Sequence, residues 1–161
     1  MLSYTVQESQ NGSLFVVTSA KDNLYALPFQ KKDVEEQDFH SDFLQENIIE
    51  VAIAKLTKNA STCIRYVCES CHAIFLKCIR GTYSDKVIYL SVKENSPKSD
   101  LIERLIQKNN TPNLVHLKVA NVVGQSFYFV FNEEKLSSLE VINYIIAYFK
   151  DEYGISLQFP Q

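Results

Sequence analysis

Three short apolar-rich runs separated by turn residues open the chain: Ser3 to Glu8, Ser13 to Ser19 and Leu24 to Phe29. Asn11-Gly12 lies between the first two, and both residues tolerate the positive φ of a tight type I′ turn; Lys21-Asp22-Asn23 lies between the next two. The pattern predicts a β-meander. An acidic connector, Lys31 to His40, follows. Ser41 then suits the cap of a helix running to about Lys58, with Phe43, Leu44, Ile48, Val51, Ala52 and Leu56 at helical spacing.

From Ser61 to Gly81 the periodicity is again helical. At 100° per residue, Cys63, Ile64, Val67, Cys68, Cys71, Phe75, Cys78 and Ile79 fall in one arc of about 160°, opposite Arg65, Glu69, Ser70, His72, Lys77 and Arg80. Ser61 and Gly81 supply caps, so the two helices are expected to pair as a helical hairpin. Beyond it the pattern predicts strand Lys86 to Val92, helix Ser99 to Lys108, strands Leu114 to Val122 and Gln125 to Phe131, helix Ser137 to Tyr153 and strand Ile155 to Phe159. Gly124 marks a hairpin turn, Ser137 with Glu140 a capping box, and Gly154 a helix stop. The expectation is one α+β domain over residues 1–161, with a three-layer α/β arrangement as its alternative. It has a mixed sheet, an N-terminal β-meander, a helical hairpin and a C-terminal β-α-β-β-α-β segment.

Composition adds mainly exclusions. Leu, Ile, Val and Phe make up 52 of 161 residues and Gly and Pro only 4 each, which fits a compact core and leaves no room for flexible linkers or glycine-rich loops. The net charge of −3 hides an asymmetry: residues 1–50 hold 3 basic and 9 acidic side chains, residues 51–93 hold 7 basic and 2 acidic. That basic segment suits phosphate or an acidic surface. Lys outnumbers Arg 13 to 3 without any nucleic-acid-binding signature, however, so nucleic acid is not an expected partner. Ile48 to Ala54 and Val141 to Phe149 are too short for a membrane span, and the N-terminus resembles no export signal, so a cytoplasmic, membrane-free protein with reduced thiols is expected.

Candidate chemistry is sparse. Cys68-Glu69-Ser70-Cys71-His72 has C-x-x-C-H spacing, but on a helix His72 turns about 100° away from Cys71, and Cys63, Cys71 and Cys78 are roughly 10 to 12 Å apart, too far to share an ion. Neither a metal nor a cofactor is expected. Glu46 and Glu50 read as surface acids. A nucleotide-binding loop, G-x-S-x-G and H-E-x-x-H are all missing. The best enzymatic candidate is Cys63, in the first turn of its helix where the dipole lowers a thiol pKa, with His116 as base and Asn132 as orienter; this is the alternative, a thiol-dependent hydrolase. The last helix suggests something else. Its polar stripe of Glu140, Asn143, Lys150 and Asp151 is narrow, leaving Val141, Tyr144, Ile145 and Tyr148 to be covered by the helical hairpin of the same chain or else by a partner protein or a second copy of the chain. The primary expectation is therefore a non-catalytic protein-interaction domain, such as an adaptor, assembly factor or regulatory subunit, binding a partner through an apolar helix surface.

Overall fold

The computed structural model describes residues 3–9, 12–18, 24–31, 48–52, 54–55, 73–96, 98–100, 102–103 and 112–159. Its strands are β1 (Ser3–Ser9), β2 (Gly12–Thr18), β3 (Leu24–Lys31), β4 (Ile48–Val51), β5 (Ala54–Lys55), β6 (Val87–Lys93), β7 (Leu114–Val122) and β8 (Gln125–Asn132). Helix α1 covers 73–80, α2 is seen at 98–100 and 102–103, and α3 is Ser138–Tyr153. Among the described residues the strands form one mixed sheet in the order β1-β2-β3-β4-β6-β8-β7, with β5 against β3. The α+β class, the N-terminal meander and the mixed sheet are as the sequence leads one to expect.

Gly12, expected in the turn, already belongs to β2, where it pairs with Ser9. Glycine is required there for a different reason: φ is +149°, and a Cβ would sit 1.8 Å from the Phe29 carbonyl oxygen of β3.

The helix expected over Ser41 to Lys58 is corrected by β4 and β5, which occupy its described part, so α1 has no helical partner there. In Ile48-Ile49-Glu50-Val51-Ala52-Ile53-Ala54 nearly every position is apolar, and such a run satisfies helical spacing as readily as it fills a central strand. Pairing decides between them. β4 is antiparallel to β3 and parallel to β6, and Ile48, Ile49 and Val51 are buried, with apolar residues on both faces of the sheet.

Alternation along the strands sorts the core into two layers. Ile49, Ile88, Val130, Phe29 and Phe15 face α1, whose Ile74, Cys78 and Ile79 complete that layer. Ile48, Val87, Tyr89, Phe127, Phe129 and Phe131 face α3, which contributes Val141, Tyr144, Ile145 and Phe149. The termini of α3 are those the sequence signals. Ser137 Oγ accepts from the Glu140 N–H, and Gly154 adopts φ 65° and returns its N–H to the Lys150 carbonyl.

Segment 155–159, expected as a strand, joins no ladder among the described residues. Its alternating Ile155, Leu157 and Phe159 are half-buried against the α3 layer, so packing rather than pairing satisfies the pattern. No helix among the described residues is long and apolar enough to cross a membrane.

Candidate functional site

β4 and β6 run parallel over only three rungs, Ile48–Val87, Ile49–Ile88 and Glu50–Tyr89. Beyond Glu50 the chain stays with β3. Ala52 donates to the Pro28 carbonyl at 3.4 Å, and Ala54 and Lys55 pair with Ala26 and Tyr25. β6 instead continues to Lys93 alongside β8, ending with the Lys93–Gln125 rung. The two strands therefore part like the arms of a fork, at the carboxyl end of the parallel pair, where open sheets place their ligands.

A cleft of about 260 Å³ fills the fork, lined by Ala52 on one arm, Leu90, Ser91, Val92 and Lys93 on the other, Gln125 from β8, and Ser96, Lys98 and Ile102 at the start of α2. The turn into α2 is held by Ser96. Its hydroxyl donates to the Lys93 carbonyl at 2.6 Å and accepts from the Ser99 N–H at 3.2 Å, while Asn95 takes a positive φ of 57°. Among the described residues, two ammonium groups and no carboxylate line the cleft, so its charge favours an anion.

A polar cluster lies behind the cleft floor. Lys118 of β7, Tyr128 of β8 and Leu90 of β6 form one row across the sheet, as Lys118 is opposite Tyr128 and Tyr128 opposite Leu90. Glu103 of α2 sits over that row. Its carboxylate accepts from Tyr128 Oη at 2.8 Å and pairs with Lys118 Nζ, which lies 5.7 Å from the Tyr128 ring centre. The hydrogen bond from Lys118 holds the Glu103 carboxyl below the usual carboxylate range, and the carboxylate in turn raises the Lys118 ammonium. Burial, then the Glu103 contact, pushes the Tyr128 phenol up.

The residues singled out from sequence fall elsewhere. Cys63, with Cys68, Cys71 and His72, lies outside the described residues. His116 and Asn132 do come together on one sheet face, because Leu114 pairs with Asn132 and His116 is two residues along. Asn132 has a turn to hold: its Oδ1 accepts the Glu134 N–H at 2.9 Å. Cys78 is buried, and desolvation raises its thiol to about 11. No group of three metal-ligating side chains occurs among the described residues.

The expected partner surface is corrected outright. Val141 and Ile145 are 0% exposed and Tyr144 is buried, all against the chain's own sheet, while Tyr148 is half-buried in the same layer. A helix lying on a sheet buries a wide arc when the sheet twists around it and a following segment closes its flank. Here the apolar excess is spent inside the molecule.

No family profile matches the chain, and no curated protein sequence does. Solved structures do resemble it in shape. One is the spermidine/spermine N-acetyltransferase SpeG from Vibrio cholerae, at 16% identity, covering 80% of this chain and 69% of that one with a TM-score of 0.41. A chimera built on the same enzyme gives 16% identity, 80% and 71% coverage and a TM-score of 0.43. The N-terminal domain of a ribosomal-protein-alanine acetyltransferase from Clostridium acetobutylicum gives 9%, 83%, 100% and 0.36. Those solved structures are named as acetyltransferases. The interaction domain is set aside because Val141, Tyr144 and Ile145 are buried against the chain's own sheet, and the thiol-dependent hydrolase built on Cys63, His116 and Asn132 is not carried forward, as Asn132 Oδ1 already accepts the Glu134 N–H.

The fork was missed because its components carry no motif. A signal for its far wall was present in the sequence Ser96-Pro97, a residue type that caps helices followed by one favoured at their start. The parting of β4 from β6 has no local signature.

Proposed function

We propose that the chain is an acyl-transferring enzyme that takes its donor in the fork between β4 and β6. The observation that carries this reading is the early end of the β4–β6 ladder at Glu50–Tyr89, with β6 continuing to Lys93 beside the cleft. An open strand edge offers N–H and C=O groups to an extended ligand that carries amides of its own. Lys93 and Lys98 add two positive charges at the mouth. A donor with an amide-bearing arm and terminal phosphates fits both features, which is the chemistry of acetyl-coenzyme A.

Leu90 and Val92 would flank the arm, the N–H groups of the open edge would fix its carbonyl oxygens, and Lys93 with Lys98 would hold its phosphates. When bound, the donor supplies an acyl group activated as a thioester.

Calorimetric titration with acetyl-coenzyme A tests the reading, followed by thiol-release assays with spermidine, the amine named for the similar solved structures. Saturable binding is expected, weakened roughly tenfold in Lys93→Ala and in Lys98→Ala, the scale of one charge-assisted contact. Absence of binding by the wild-type chain at millimolar donor would overturn it.

A further inference from the structure

Among the described residues of α2, Ile102 is buried with Val92 and Tyr128, and Leu90 packs alongside. Glu103, the next residue, carries the polar contacts to the sheet. A single carboxylate, Glu103, accepts from a phenol on β8 and pairs with an ammonium on β7. Lys98 and Ile102, on the same helix, line the cleft. Any displacement of α2 away from the sheet would move Lys98 and Ile102 together and widen the fork.

We propose that Glu103, Lys118 and Tyr128 act as a clamp of positioning residues that sets the width of the cleft. They touch no ligand themselves. They act through Lys98 and Ile102, and the proposal rests on the reading of the fork as the donor site. Glu103 is the centre because its carboxylate is the shared acceptor. Lys118 is the tether to the far edge of the sheet, and Tyr128, flanked in register by Lys118 and Leu90, carries the clamp's position to the cleft floor. A carboxylate joining two donors from two strands fixes α2 in translation and rotation, which one bond would not do.

The test uses the full chain and the variants Glu103→Gln, Lys118→Met and Lys118→Arg, with three readouts: amide hydrogen exchange over 90–93 and 98–103, acetyl-coenzyme A affinity, and melting temperature. In Lys118→Met and Glu103→Gln, exchange in α2 should accelerate tenfold or more and donor affinity fall about fivefold, while melting drops by no more than about 3 °C because the pair is half-exposed. Lys118→Arg should restore both exchange and affinity. The double variant should be no worse than either single one, since both break the same unit. Unchanged exchange in Lys118→Met overturns the clamp, as does faster exchange with donor affinity unaltered. A wild-type chain that fails to bind donor overturns the proposed function instead, and the exchange readout then decides the clamp alone.

Discussion

Truncating Phe149 to Ala puts the placement of α3 to a quantitative test. The ring is 0% exposed and meets Phe127 edge-on at 5.1 Å, Phe129 edge-on at 6.2 Å and Tyr153 in a stack at 5.5 Å. Removing it forfeits the burial of a large aromatic and leaves a hole between two rigid layers, a change that costs about 3–5 kcal/mol in well-packed cores. With Tyr148 also edge-on at 5.3 Å, the four aromatic partners, at about 0.5–1.5 kcal/mol per favourable pair, place the loss at the upper end of that range. For a chain of this length, about 2–4 °C is lost per kcal/mol, so the melting temperature should fall by about 10–20 °C. Leu139→Ala is the control, since Leu139 is 69% exposed and its truncation should shift melting by no more than about 2 °C. Scanning calorimetry supplies the temperatures, and light scattering supplies the mass before heating. A Phe149→Ala protein that melts with the wild type but changes its mass would refute the placement and return α3 to the surface of an assembly.

Two further outcomes follow from local geometry. Val123 is 80% exposed with φ 52°, and Gly124 follows at 74°, which is a type I′ turn holding a β-branched residue in the left-handed region. Val123→Asn should therefore stabilise the chain by about 1 kcal/mol and raise melting by about 2–4 °C; no gain would show that the turn carries no strain. Burial pushes the Cys78 thiol up to about 11, so iodoacetamide at pH 8 should leave it unmodified in the native protein and label it promptly in urea. Because the folded state keeps this proton longer than the unfolded one, the group's contribution to stability is full below the ordinary thiol range and is lost as pH rises toward about 11. Replacing Cys78 with Ala should flatten that alkaline decline.

Elements whose evidence is local were legible. β1 to β3 follow from short runs and turn residues, β7 and β8 from alternation around Gly124, and α3 from Ser137, its apolar arc and Gly154. Each feature is decided within a few residues by backbone sterics and capping hydrogen bonds, which travel with the sequence. Of the candidate site, Ser96-Pro97 and the lysines could be seen as residues, but not as neighbours.

What tertiary structure alone decided is long-range. Ile48 to Val51 are a strand because β3 and β6 lie on either side of them, and apolar residues on both faces of a central strand erase the period that would have announced it. The burial of Val141, Tyr144 and Ile145 depended on which surface met them, and amphipathicity states only that some surface must. The fork depended on β5 following β3 while β6 followed β8, and Glu103 found Lys118 and Tyr128 only once α2 had folded over the sheet. Sequence specifies what each segment must bury or pair, whereas the identity of the covering partner is settled by chain segments far away along it.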